Sequence, residues 1–226
     1  MQKNFAIALD GPAGAGKSSV AKRIAHDLSI VYLDTGSMYR SVALFATSVG
    51  VDTQDADGLS KLMSAIRIEI THVNGEQRIF LDGVDVSDKI RTPEISLGAS
   101  HVAVVPAVRI KMVEIQREIA SKQKVIMDGR DIGTYVLPDA DLKIYLTASV
   151  EERAQRRFDE MKEKGMQTPP IEEIMADIAF RDHNDSTREF APLRKADDAI
   201  EIDSTKMTLD EVVAEINRLL RGLSND

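Results

Sequence analysis

The chain has no cysteine and no tryptophan, and aromatic residues make up only 4% of its 226 positions. Without cysteine there is no disulfide framework, no thiolate metal site and no thiol nucleophile. That composition suits a reducing compartment, and a cytoplasmic location is expected. Net positive charge is also lacking, since 29 Lys and Arg stand against 37 Asp and Glu, for a formal charge of -8. Coating a nucleic acid needs a basic face, so no nucleic-acid partner is expected and the basic residues must act locally. Long apolar runs are missing too. The longest uncharged stretch, residues 95–108, contains Ser, His and Pro and falls short of the roughly 20 residues that span a bilayer. The opening residues lack the length and cleavage site of a signal peptide, so no membrane association is expected. What is present, 43% apolar and 29% charged residues, argues against disorder and suffices for one α/β core with a small appended element.

Strand-like and helix-like segments alternate along the chain. Strands are expected at residues 5–10, 31–34, 124–128, 142–146 and 199–203. Helices are expected at 16–28, 36–49, 93–121 (bent or broken near Pro106), 150–163, 171–182 and 209–220. Such alternation favours a parallel sheet covered on both faces. Two stretches interrupt it. Residues 67–71 and 78–82 alternate at period two around Asn74-Gly75, a hairpin signal, and 84–86 adds a short third strand. An antiparallel insert is therefore expected at 62–91. The second interruption, 151–194, carries Arg153, Arg156, Arg157, Arg181, Arg188 and Arg194 around a loop at 165–170; it reads either as a mobile arginine-bearing lid, placed at 151–190, or as ordinary solvated helix faces. The rest, 1–61, 92–150 and 191–226, forms the core of a single domain. No repeat or low-complexity segment is present.

The first strand runs into Gly11, Pro12, Ala13, Gly14, Ala15, Gly16, Lys17, Ser18 and Ser19. The first eight match G-x-x-x-x-G-K-[ST], with a strand before and an amphipathic helix after, as a phosphate-binding loop requires. Its glycines let successive N–H groups turn inward, and the helix N-terminus adds partial positive charge. Lys17 is placed to reach the outer phosphates and the Ser18 hydroxyl to bind Mg²⁺, so a nucleoside triphosphate with Mg²⁺ is expected. The fate of the phosphoryl group is open among a switch, a motor ATPase and a kinase. A guanine-reading N-K-x-D tetrapeptide is absent, and the size favours a kinase acting on a small acceptor.

Two further segments, residues 34–40 and 128–134, follow strands at the carboxyl edge where open parallel sheets bind ligands. Each pairs an aspartate with an arginine, as an internal ion pair or as a phosphate clamp. For a phosphate acceptor the clamp has a physical reason: a second pKa near ~6 leaves the acceptor largely dianionic at neutral pH, so the obstacle is repulsion between polyanions rather than want of a base. Arginine forks suit that obstacle. For a hydroxyl acceptor, Asp34 or Asp131 would have to serve as base. Asp34 and Asp128 are both candidates to support Mg²⁺ through water. The four histidines show no nucleophile or base arrangement.

The segments GPAGAGKSSVAKRIA, LDTGSMYR, IRTPEIS, VAVVPAVR, IMDGRDIGT and FRDHNDSTREFAPL, in this order and spacing, resemble bacterial-type cytidylate kinases, of the nucleoside monophosphate kinase family, throughout the chain. The resemblance implies an adenylate-kinase-like P-loop fold with a five-stranded parallel sheet, a three-stranded insert and a short lid. It implies the reaction of ATP with CMP or dCMP to give ADP with CDP or dCDP, by direct in-line transfer. It assigns Thr35, Tyr39 and Arg40 to the acceptor, with Arg130, Arg40 and Arg188 on its phosphate. Ser100, Arg109 and Asp131 would read cytosine, and Arg181 and Asp185 would contact the sugar hydroxyls. Lid residues Arg153 and Arg157 would close over ATP, with Lys17, Arg130 and Arg188 completing the catalytic set, and 203–205 would border the adenine. A monomer is expected.

Overall fold

A computed structural model describes residues 4–73 and 75–223. Asn74, the first residue of the expected hairpin turn, lies outside the described residues. The elements run β1 (Ala6–Asp10), α1 (Lys17–Leu28), β2 (Val31–Asp34), α2 (Thr35–Ser48), α3 (Ala56–Leu62), β3 (Ile68–Val73), β4 (Glu76–Leu81), β5 (Val84–Asp85), α4 (Pro93–Val102), α5 (Pro106–Lys122), β6 (Val125–Gly129), β7 (Leu142–Thr147), α6 (Val150–Glu163), α7 (Ile171–Thr187), β8 (Ile200–Asp203) and α8 (Leu209–Leu223). A five-stranded sheet has the order β2-β6-β1-β7-β8, and β3-β4-β5 form a separate antiparallel sheet.

Contacts divide the chain into two compact units. In the unit of Ala6–Ser29 with Asp128 onward, β1 pairs in parallel with β7 (Ile7 opposite Leu142) and β7 with β8 (Ile144 opposite Ile200). Every residue of β1 is buried, which is why that strand reads as a continuous apolar run rather than an alternation. α1 packs on α8; Val20, Ala21 and Ile24 are among the buried residues of the first and Val212, Val213 and Ile216 among those of the second. α6 and α7 pair through Ala154, Met161, Ile174 and Ile178, with Phe158 and Met175 packed against them.

The other unit, residues up to Phe5 with Ile30–Met127, holds β2, α2 to α5 and the small sheet. α2 packs on α4 where Gly98 approaches Ala43; a Cβ at 98 would lie 3.1 Å from the Ala43 Cβ. Asp34 caps α2 by accepting from Ser37 N–H, and Thr92 caps α4 by accepting from Ile95 N–H.

The helical stretch expected at 93–121 with a bend or break near Pro106 is two helices, bent by 100° across residues 103–105. Pro106 occupies the first turn of α5, where its missing N–H costs nothing, whereas inside a continuous helix it would break the ladder. α3 and a π-helical turn at Ile132–Val136 are additional to the expected elements. Within α3 only Leu59 is buried, so there is no apolar stripe for a periodicity reading to detect. α7 extends to Thr187, beyond the expected end at 182. No single helix among the described residues is long and apolar enough to cross a membrane.

Gly11 is fixed by its surroundings. It has φ +150°, and a Cβ there would fall 1.9 Å from the backbone oxygen of Leu146 in β7. Since main chain cannot yield as a side chain can, Gly11→Ala should cost about 2–3 kcal/mol, read as a lowered urea midpoint. An unchanged midpoint would show that β7 shifts without cost.

Candidate functional site

The loop between β1 and α1 is closed around itself. Gly16, at the N-cap of α1, has φ 86°, a left-handed conformation that glycine adopts at little cost. Lys17 is buried, and its Nζ donates to the Pro12 carbonyl at 2.6 Å. Burial, and then the positive charge of Arg130, push the Lys17 pKa down to about 7 against the pull of Asp128, Asp185 and Asp10. Asp10, at the end of β1, is pushed up to about 6 by burial. It accepts from Ile132 N–H at 2.8 Å and Gly133 N–H at 2.7 Å, fixing the π-helical turn to the strand end. The Ser18 hydroxyl donates to Asp128 Oδ2 at 2.8 Å.

The Ala13 peptide is gripped on both sides. Its N–H donates to Asp182 Oδ1 at 3.3 Å, and its carbonyl accepts from Arg153 Nη1 at 2.9 Å. Arg153 Nη1 also pairs with Asp182 Oδ2 at 2.6 Å, and Arg153 Nε donates to Ala148 O. Arg153 is thus a buried wall of the loop. Arg157 is different: it is partly exposed and pairs with Glu160 at 3.0 Å. Arg156 donates to Ser204 Oγ and the Ser204 carbonyl, and a Cβ on Gly16 would lie 3.8 Å from its Nη1.

Past β6, four charged groups interlock. Arg130 Nε donates to Asp185 Oδ2 at 2.7 Å. Arg188 Nη1 lies 3.7 Å from Asp185 Oδ1, and its Nη2 donates to Asp131 Oδ1 at 3.3 Å. Arg188 and Asp131 are both buried. The continuation of α7 to Thr187 makes this possible, because residues 181, 185 and 188 then recur on one face at the end of the helix. Burial alone would raise the Asp185 carboxyl; the charges of Arg130 and Arg188, the Arg130 hydrogen bond and Arg181 hold it below the ordinary range. Reciprocally, Asp185, with Asp128 and Asp182, holds Arg130 above its ordinary value despite burial.

The segment after β2 carries a second charged group. Arg40 Nη2 donates to Asp34 Oδ2 at 2.7 Å, while Arg40 Nε is buried with no hydrogen-bond partner among the described residues. Thr35 is buried at the start of α2. The Arg109 guanidinium lies 5.5 Å from the Tyr39 ring centroid, within cation–π range, and donates to Ala103 O at 3.1 Å. Ser100 is half-buried on α4.

A family model described as cytidylate kinase matches residues 7–222. The chain belongs to the cytidylate kinase family. A cytidylate kinase of Lactobacillus johnsonii is 52% identical over 215 residues, covering 95% of this chain and 93% of that protein. That of Caldicellulosiruptor bescii is 48% identical over 217 residues, covering 96% of each. That of Limosilactobacillus reuteri is 47% identical over 226 residues, covering 100% of this chain and 99% of its own. The fold also matches a crystal structure of an uncharacterized protein from Eubacterium ventriosum, with TM-score 0.52 at 13% identity, covering 96% of this chain and 99% of that one.

In this cytidylate kinase family member the two carboxylates considered for Mg²⁺ have different partners. Asp34 is committed to Ser37 N–H and Arg40, whereas Asp128 faces the Ser18 hydroxyl. An oxygen pair of that kind fits a hard divalent cation. Sequence reasoning missed Asp182 as a partner of the phosphate loop, because a contact across 169 positions leaves no local pattern. Arg156 carried a weak signal, its one-turn spacing from Arg153 on α6.

Proposed function

We propose that this chain transfers the γ-phosphoryl group of ATP to the phosphate of CMP and dCMP, giving CDP and dCDP. The observation that carries the reading is the Arg130–Asp185–Arg188–Asp131 cluster, whose arginine charge is felt at Lys17. A hydrolase needs a place for water. A kinase acting on a phosphate needs fixed cations for a second polyanion beside the first, which this cluster supplies.

In this reading the backbone N–H groups of the loop at 11–19, to which Pro12 contributes none, and Lys17 hold the donor phosphates. Ser18, with Asp128 behind it through water, would hold Mg²⁺, which when bound offsets charge on the donor phosphates. Arg130, Arg188 and Arg40 take the acceptor phosphate; the bare Arg40 Nε is a donor that such a ligand would satisfy. Thr35 and Tyr39 border the acceptor, and Arg181 and Asp185 take its sugar hydroxyls. Because the acceptor is already a dianion, no side chain has to remove a proton. Arg153 and Arg157 flank the donor from a lid spanning 151–190, and the insert at 62–91 serves the acceptor. Closure excludes water and transfer is direct, with no covalent enzyme intermediate. The substrates are free metabolites and one chain carries both groups of residues, so we place the enzyme in the cytoplasm as a monomer, without nucleic-acid or membrane partners.

Cytosine offers an amino donor at N4 and acceptors at N3 and O2. Asp131 suits the amino group, and Arg109 with Ser100 suits the acceptor edge. Uracil, with O4 in place of the amino group, should be rejected. Asp131→Ala should narrow the ratio of kcat/KM for CMP over UMP by about tenfold or more. A ratio equal to that of the parent would remove Asp131 from base recognition. The reading as a whole is tested by a panel of CMP, dCMP, UMP, AMP and shikimate with ATP and Mg²⁺. CDP and dCDP should dominate. Phosphorylated shikimate, or no phosphorylated acceptor, would refute it.

A further inference from the structure

In the β3–β4 register His72 lies opposite Gln77. Both side chains leave the small sheet and reach the β2–α2 segment. His72 Nε2 is 2.7 Å from the Tyr32 carbonyl in β2, so that nitrogen donates. Gln77 uses both ends of its amide: Oε1 accepts from Asp34 N–H at 2.8 Å, and Nε2 donates to Ser37 Oγ at 2.7 Å, with Asp34 O at 3.4 Å.

Those atoms continue to Arg40. The Ser37 hydroxyl donates to the Asp34 carbonyl at 2.6 Å, Ser37 N–H donates to Asp34 Oδ1 at 2.9 Å, and Asp34 Oδ2 accepts from Arg40 Nη2 at 2.7 Å. The glutamine amide therefore supplies the chain end of β2 with one donor and one acceptor, as an adjoining strand would. An alanine at 77 would leave Asp34 N–H and the Ser37 hydroxyl to find other partners, and Asp34 could then tilt. Among the described residues the one anchor of Arg40 is the Asp34 carboxylate, so a tilt of that carboxylate moves the guanidinium.

We propose that Gln77, assisted by His72, is a positioning residue for the acceptor: the antiparallel insert fixes Asp34 and Ser37, and through them the phosphate-holding guanidinium of Arg40. The inference rests on the reading of Arg40 as an acceptor-phosphate ligand. Gln77 itself touches no substrate in this account. Its effect should fall on acceptor binding, since Lys17 and the phosphate loop are not among its contacts.

The test is steady-state kinetics with CMP and ATP varied in turn, on the full chain, with unfolding curves for every variant. Gln77→Ala should raise KM for CMP about five- to tenfold, the size of a lost hydrogen-bonded link, with kcat and KM for ATP within about twofold of the parent. Gln77→Glu keeps an oxygen for Asp34 N–H but loses the donor to Ser37, so it should shift KM for CMP the same way; it carries the test if the alanine variant fails to fold. Arg40→Ala should raise KM for CMP on its own, and adding Gln77→Ala to it should change KM by less than about twofold, because the two act in series. A lowered unfolding midpoint with unchanged KM for CMP, or effects that multiply in the double variant, would overturn the proposal. If Arg40→Ala leaves KM for CMP unchanged, the reading of Arg40 fails first and the inference falls with it.

Discussion

Lys17→Ala should lower kcat by about 10³-fold, equivalent to roughly 4 kcal/mol of transition-state stabilisation. The amine is buried and donates to Pro12 O, so in the free chain its charge is poorly solvated and its pKa sits near about 7. Donor phosphates supply the counter-charge that the loop lacks, and the amine binds them as the ammonium form. The pH consequence has a definite sign. Above pH 7 the free chain increasingly holds neutral Lys17, so binding ATP at pH 8 should take up a proton. Calorimetry in two buffers of different ionisation enthalpy would show that uptake, and Lys17→Met should abolish it. Stability follows the same linkage: the folded pKa lies below the unfolded 10.5, so the Lys17 contribution rises with pH between about 7 and 10.5 and is lost as pH falls to 7. A parent chain and a methionine variant with parallel stability curves over that window would contradict the burial argument. Unchanged kcat in Lys17→Ala would contradict its assigned role.

Arg130→Ala should reduce kcat/KM for CMP by roughly 10³-fold while changing KM for ATP by less than about threefold. Arg130 makes the 2.7 Å bond to Asp185, whereas Arg188 lies 3.7 Å from that carboxylate. Removing Arg130 takes a phosphate-holding cation away and also leaves Asp185, then balanced by the more distant Arg188 and by Arg181, as a more strongly repelling negative charge toward an incoming phosphate. Lysine would not restore the fork, because one ammonium cannot reproduce both the Asp185 bond and a bidentate phosphate grip. Arg130→Ala combined with Asp185→Ala should therefore recover part of the lost CMP affinity by removing the repulsive carboxylate. If Arg130→Ala affects only KM for ATP, the cluster belongs to the donor. If the double variant is worse than the single one by the full cost of Asp185→Ala alone, the two residues do not act as a unit.

The sequence discloses best what repeats at short range. β2 and α6 occupy the residues that pattern alone assigns, and β1 and β7 differ by a residue at one end. The phosphate loop is legible because its chemistry is local: glycines, a lysine and a serine between a strand and a helix. The end of α7 is not legible, since His183, Asn184, Asp185 and Ser186 are weak helix formers and their ordering comes with the ion pairs at Arg130 and Arg188. α3 escapes for want of an apolar face, and its capping aspartate, Asp55 accepting from Gly58 N–H, is its one sequence signal. Asp182 and Gln77 are polar residues whose roles depend on partners 169 and 43 positions away. No periodicity encodes such contacts. The Asp34–Arg40 pair is legible from its segment, but in the segment at 128–134 Arg130 pairs with Asp185, which it shares with Arg188, a partner that spacing does not specify.

The central claim is that a phosphoryl group held by the loop at 11–19 goes to a second phosphate and not to water. The direct measurement is to incubate the chain with γ-labelled ATP, Mg²⁺ and CMP and to follow the label in nucleotide, inorganic phosphate and protein. The account predicts label in the β-phosphate of CDP in equal amount to the ADP formed, with none retained on the protein. Label appearing as inorganic phosphate, or on the chain itself, would contradict it.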